Sequence, residues 1–200
     1  LMDQVIPLVF IHGNYPELAE ACYVLDDNFN GGRQLVRYLV QKGHTKIAGI
    51  FKGDDIQGHG RFAGYAAGLK EAGVAVDDTH VFWYHTDVKN RILSASAEQC
   101  PPELFTAVTG CSAIVCYNDE IASWLVTLLA QSGYRVPQDF AIVSFDNSRY
   151  SKLSPVPLTS LSHEPYNVGR IAAEKLLKMM NGELCDSMLV PWTLVQRQSG

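Results

Sequence analysis

Basic residues are scarce in this 200-residue sequence: 16 Lys and Arg stand against 21 Asp and Glu, giving a formal net charge of -5. The basic face that neutralises nucleic-acid phosphates is therefore missing from this stretch. Long hydrophobic runs are missing as well. No segment approaches the ~18 consecutive apolar residues of a membrane-spanning helix, and the first residues lack the charged and apolar regions of a secretion signal, so the chain reads as soluble, with no membrane partner. Cysteine is sparse and scattered, at Cys22, Cys100, Cys111, Cys116 and Cys185, with no Cys-x-x-Cys pair and no histidine at zinc-finger spacing. An odd, unpatterned set predicts reduced, mostly buried thiols of a cytoplasmic protein, and no metal.

Catalytic signatures are absent in the same way. There is no nucleophile elbow, no phosphate-binding loop ending in Gly-Lys, and no His-Glu-x-x-His helix. Gly58-His59-Gly60 followed by Gly64 fails the spacing of a dinucleotide loop, because Ala63 stands where the third glycine belongs. Asp146 and His163 are of the types used in acid-base work, yet no activated nucleophile accompanies them. Binding without catalysis, and without a cofactor, is the more economical reading.

What is present is a regular alternation. Apolar runs of strand length fall at Pro7 to Ile11, Tyr23 to Asp26, Ile47 to Phe51, Val81 to Tyr84, Ala113 to Tyr117 and Phe140 to Phe145, with a shorter one at Leu158 to Leu161. Between them lie helical stripes that end at Gly43, Gly73 and Gly133, where glycine takes a left-handed cap at little cost. Continuously apolar strands joined through helices predict an α/β fold, a doubly wound parallel sheet flanked by helices. Asn167 to Asn181 is helical and apolar on more than one side, so it expects partners around most of its circumference. Met188 to Val195 reads as a final strand or extended segment. No linker, low-complexity tract or repeat divides the chain by composition.

In open parallel sheets, ligands sit beyond the carboxyl ends of the strands. The loops at those ends carry Lys52 through Arg61, Asn118-Asp119-Glu120, Asp146-Asn147-Ser148 and Ser162-His163-Glu164. Mixed amide, carboxylate and guanidinium groups hold neighbouring hydroxyls in fixed forks, which suits a neutral polyol better than a phosphate. Phe51, Tyr117, Phe145 and Tyr150 are placed either to offer a flat face to a sugar ring or simply to fill the core. Plainer roles stand beside these. Asp119 fits the N-cap of the helix after it, Asp54, Asp55 and Asn147 fit solvated turns, and Arg61 fits a surface pair with Asp54 or Asp55.

The loops taken together resemble a known family. Asp26-Asp27-Asn28-Phe29-Asn30-Gly31-Gly32 followed by Gly43-His44, Arg61-Phe62-Ala63-Gly64-Tyr65, Asn118-Asp119-Glu120-Ile121-Ala122, Ile142 through Asn147, Leu158-Thr159-Ser160-Leu161 and Gln196 through Ser199 match, in order, the motifs of the effector domain of the LacI/GalR family of bacterial regulators. Within it, Ile50 through Gly58 and Cys116 through Ala122 resemble the arabinose-repressor type. The resemblance implies a periplasmic-binding-protein-like fold that senses a sugar, L-arabinose in that type. It implies a homodimer that meets operator DNA only through a head outside these residues. It also implies effector contacts at Arg61, Asn118 and Asp146, with His163 at a polar contact position and Lys52 and Gln57 added in the arabinose type. A periplasmic sugar-binding protein of the same fold is the alternative.

By the same resemblance, residues 1–27 and 164–183 form a remnant of an N-terminal subdomain, and 28–163 with 184–200 form a nearly complete C-terminal subdomain. Two departures from the family pattern stand out. The βα units that would precede Leu1 and the DNA-binding head are not in this sequence, and Ser144 replaces the usual glycine before Phe145.

Overall fold

The computed structural model describes residues 6–13, 15, 17, 18, 21–94 and 99–200. They form two compact units, one drawn from the described residues within 1–27 and 163–192 and a larger one from those within 28–162 and 193–200.

The larger unit is a six-stranded sheet. Its strands are β3 (Ile47–Lys52), β4 (Val81–Tyr84), β5 (Ala113–Cys116), β6 (Ala141–Phe145), β7 (Thr159–Ser162) and β9 (Thr193–Val195), in the order β4-β3-β5-β6-β7-β9. All pairings are parallel except β7 with β9. One face is covered by α4 (Pro102–Val108) and α5 (Asp119–Gln131): Ala48, Ile50, Ile114, Cys116 and Ile142 share a core with Leu104, Val108, Ile121, Leu125 and Leu129. Against the other face lie α1 (Asn28–Gln41) and α2 (Ile56–Glu71), where Phe51 packs on Phe62 and Tyr65. Each large apolar side chain buried in this way contributes about 1.5–3 kcal/mol.

Helices α1 and α2 cross at backbone distance because glycines face each other. A Cβ on Gly64 would run into the carbonyl oxygen of Phe29, and one on Gly32 into the carbonyl oxygen of Arg61. A Cβ on Gly58 would strike the carbonyl oxygen of Lys52, so the start of α2 lies directly on the end of β3. These are contacts with backbone, which cannot swing away.

The smaller unit is a parallel three-stranded sheet in the order β1-β2-β8, formed by Val9–Ile11, Cys22–Asp26 and Met188–Val190. Helix α7 (Val168–Met180) covers it through Val168, Ile171 and Ala172, packed on Val9, Val24 and Val190. The expectation of partners around most of this helix is not met among the described residues: Leu177 is 60% and Met180 65% exposed.

The alternation read from the sequence is the observed one, with Val81 to Tyr84 matched at both ends. Met188 to Val195 is not one strand. Pro191 and Trp192 interrupt it, and its halves enter different sheets, so residues 184–192 belong to the smaller unit rather than the larger one expected for them. Two more helices, α3 (Thr86–Ser94) and α6 (Arg149–Leu153), and α4 itself carried no apolar stripe long enough to announce them. Pro102 at the first turn of α4 is the signal that was there to be read.

Gly64→Ala is expected to destabilise the larger unit by ~1–3 kcal/mol despite alanine's better helix propensity, because α1 must move away from α2. Urea unfolding midpoints of the two proteins measure this. An unchanged or raised midpoint would show that the crossing tolerates a methyl group.

Candidate ligand-binding site

Two of the side chains picked from the sequence, Gln57 and Asp146, meet at the buried guanidinium of a third, Arg61, whereas Lys52 and Asn118 have other partners. Arg61 lies one turn into α2 and is 2% exposed. Its Nε donates to Asn28 Oδ1 at 2.9 Å and its Nη1 to the carbonyl of Tyr117 at 2.5 Å. Its Nη2 donates to Gln57 Oε1 at 3.3 Å and Asp146 Oδ1 at 3.2 Å. The ring of Phe145 lies 4.4 Å and that of Tyr117 4.8 Å from the guanidinium carbon. A buried cation needs this degree of satisfaction, because each missing partner leaves a desolvated charge. The surface pairing with Asp54 or Asp55 considered for Arg61 is therefore replaced by an internal one with Asp146.

Asp55 serves instead as the N-cap of α2, accepting from the Gln57 amide at 2.9 Å. It also accepts from the Tyr117 hydroxyl at 2.7 Å and pairs with Lys52 at 3.6 Å. Burial raises the carboxyl's proton affinity, but the Tyr117 hydroxyl, the Gln57 amide and the charges of Lys52 and Arg61 outweigh it and hold Asp55 below the usual carboxylate range. Burial and the Asp55 bond together push the Tyr117 hydroxyl well up, so it stays protonated and donating. Asp54 is a turn residue, accepting from the Thr86 amide at 2.9 Å.

Asn118, not Asp119, caps α5: its Oδ1 accepts from the Ile121 amide at 3.1 Å. Asp119 is fully buried and reaches across the strand ends. One of its oxygens accepts from Ser144 and Ser160, each at 2.6 Å, and the other from the Ser148 amide at 2.6 Å. Burial raises its proton affinity more than these bonds lower it. The β6–β7 register places Ser144 opposite Ser160, which brings the two hydroxyls to one carboxylate. Sequence reasoning passed over Asp119 as a cap; the signal was Ser144 in a place where the family pattern has no hydroxyl.

Asp146 and Asn147 follow β6 with φ of 96° and 45°, a region costly for residues with a Cβ. Asn147 is held by the amide-to-Ser160 bond at 3.1 Å and by Arg197 Nη2 on its Oδ1 at 2.6 Å. Asp146 keeps its side chain 39% exposed. Phe51, Phe145 and Tyr117 are buried, so they are core rather than open platform, although Tyr117 and Phe145 flank Arg61.

His163 belongs to the smaller unit. Its Nε2 meets Asp26 Oδ1 at 3.0 Å, and His12 Nδ1 meets the other oxygen at 2.7 Å. Its ring stacks on Trp192 with centroids 3.6 Å apart. Burial raises the Asp26 carboxyl, but the two histidines overcome it and hold Asp26 well below the usual carboxylate range. The five cysteines are unpaired, and burial pushes the Cys100 thiol up to about 11. Among the described residues no three His, Cys, Asp or Glu side chains are grouped to hold a metal, and no helix is long and apolar enough to cross a membrane.

A parallel sheet with polar side chains gathered at its carboxyl edge defines a binding domain of the periplasmic type, and residues 36–200 match the periplasmic binding protein-like domain: the chain belongs to that family. It is 33% identical over 186 residues to the arabinose metabolism transcriptional repressor of Halalkalibacterium halodurans, covering 93% of this chain and 48% of that protein. To the protein of the same description from Geobacillus stearothermophilus it is 35% identical over 186 residues, covering 92% and 50%. The chain thus spans about half the length of these relatives. The solved complex of the transcriptional regulator CelR with cellobiose superposes with a TM-score of 0.81 at 27% identity, covering 96% of this chain and 58% of that one. LacI and GalR regulators, to which the motifs pointed, stand among the similar proteins.

The Asp26 pair carries a pH dependence of definite sign. Its folded value lies below the ordinary 3.8, so its stabilisation is complete above about pH 4 and is lost as pH falls toward the folded value. Asp26→Asn is expected to lower stability near pH 7 by ~2–3 kcal/mol, with the gap to wild type narrowing below pH 4. Urea midpoints of both proteins between pH 7 and pH 3 test this. A gap independent of pH would contradict it.

Proposed function

We propose that this chain is the sugar-sensing domain of a transcriptional repressor and that its effector is L-arabinose. The observation that carries the reading is the Arg61–Asp146 pair. A guanidinium satisfied from within presents a carboxylate that is only partly covered, at the carboxyl edge of the sheet, where ligands of such folds bind. A carboxylate oriented by an arginine accepts strongly from sugar hydroxyls, and Lys52 and Gln57 extend the same edge. The names of the relatives favour a regulator over a transport protein, and the resemblance to the arabinose type supports the choice of sugar.

In this reading the larger unit is the C-terminal subdomain of the effector domain, and the smaller unit is what the chain carries of the N-terminal one. Asn118 is a further effector contact of the larger unit; the contact proposed for the smaller unit is His163, held in orientation by Asp26. The protein works in the cytoplasm as a homodimer and meets its operator through a head outside these residues. Sugar acts by binding one arrangement better than the other, and a ~10⁴-fold preference carries a two-state equilibrium from 1:99 to 99:1. Hydrogen bonds to charged groups, at about 1.5–3 kcal/mol each, supply that preference with three or four contacts.

Titration calorimetry of the full-length repressor with L-arabinose, beside D-galactose and D-xylose, tests the effector. Asp146→Asn is expected to weaken binding by about 100-fold, the scale of a lost charged hydrogen bond, and to abolish release from operator DNA while operator binding persists. Arg61→Ala is expected to do the same. Normal sugar response in both variants would overturn the site.

A further inference from the structure

Asp119 is a buried carboxyl that pairs with no cationic side chain among the described residues. It is fully buried, and the three groups it binds are two hydroxyls and one amide: Ser144, Ser160 and the backbone of Ser148. A carboxylate needed only to start a helix would turn back to the amides of its own first turn, and Asn118 already fills that place. Both oxygens of Asp119 point away from α5, into β6, β7 and the turn between β6 and α6.

That turn needs an outside restraint. Asp146 and Asn147 both have φ in the left-handed region, which residues with a Cβ keep only when their surroundings hold them there. Asp119 holds the turn on two sides. Directly, it takes the Ser148 amide, the first donor after the two left-handed residues. Indirectly, the Ser160 hydroxyl, whose proton goes to Asp119, accepts the Asn147 amide with its oxygen. The Ser144 hydroxyl, on the strand leading into Asp146, shares the same carboxylate oxygen.

We propose that Asp119 is a positioning residue for Asp146: by fixing Asn147 and Ser148 through Ser160 and its own carboxylate, it sets where the Asp146 carboxylate stands against Arg61, and so sets effector affinity. The affinity part rests on the sugar-site reading above. The positioning part rests on the geometry alone, and the test separates the two.

The full-length protein is compared with Asp119→Asn, Ser160→Ala and Ser144→Ala. Asparagine has the size of aspartate but brings an N–H₂ toward groups that all donate. In the sugar-free protein, amide hydrogen exchange at Asn147 and Ser148 is expected to speed up about tenfold in Asp119→Asn and Ser160→Ala, the scale of one lost hydrogen bond, while Leu125 through Leu129 of α5 keep their wild-type rates. In calorimetry with L-arabinose the same two variants are expected to lose about tenfold in affinity, with Ser144→Ala losing less. A purely structural Asp119 would instead speed exchange throughout α5 and β6 and leave affinity unchanged at temperatures where the variant is folded; that result overturns the proposal. Wild-type exchange rates at Asn147 and Ser148 in both variants also overturn it. If wild type binds none of the sugars, the effector reading falls and the exchange rates alone decide the positioning role. If Asp119→Asn does not fold, the two serine variants decide it.

Discussion

Burying a guanidinium and then satisfying it is the constraint around which the larger unit is organised. Arg61 joins the first residue of α1, the first turn of α2, the carbonyl just after β5 and the carboxylate that follows β6. Those four points come from segments far apart in sequence, and a displacement of any of them leaves part of a desolvated guanidinium unsatisfied. The glycines at 32, 58 and 64 serve the same end, because they bring α1 against α2 and α2 against β3 closely enough for one side chain to span the gap. Polar groups at the sheet edge are thereby held before any ligand arrives, which lowers the ordering cost of binding.

Beneath that edge lies a second polar layer. Asp119 at the start of α5 meets Ser144 of β6 and Ser160 of β7, and Arg197 reaches the same turn from near the end of the chain, donating to Asn147 and to the Leu158 carbonyl. Ser199 stitches this last segment to the sheet, its hydroxyl donating to the Ile142 carbonyl and accepting the Thr159 amide. The turn after β6 is thus fixed from within and from the side. The Asp146 side chain stays partly open.

Much of this was legible in the sequence because it depends on periodicity. Strands such as Val81–Tyr84 and helices that end at glycine follow from local patterns, and the sheet edge follows from their alternation. Arg61 and Asp146 were legible as residue types at strand ends, but their mutual pairing was not, since it spans 85 positions and depends on two helices packing through glycine. Asp119 was misread for a related reason: capping preference is local, and the serines that claim its carboxylate lie 25 and 41 positions away. The break at Pro191 and Trp192 was missed because each half of Met188–Val195 is a plausible strand, and only pairing reveals that they join different sheets. His163 was legible as a polar residue after a strand, while its pairing with Asp26, the last residue of β2, joins segments near opposite ends of the chain and was not.

The left-handed backbone at Asp146 and Asn147 narrows how the proposed site could be retuned for another ligand. Glycine adopts those angles freely, and asparagine and aspartate at less cost than other residues with a Cβ, so variation at the two positions is confined to a small alphabet that leaves out β-branched and bulky residues. New preferences must then arise at positions with ordinary dihedrals on the same edge, of which Lys52 and Gln57 are the nearest to hand. A library that randomises Lys52 and leaves both the turn and Gln57, a partner of the buried Arg61, intact samples recognition with the guanidinium still satisfied.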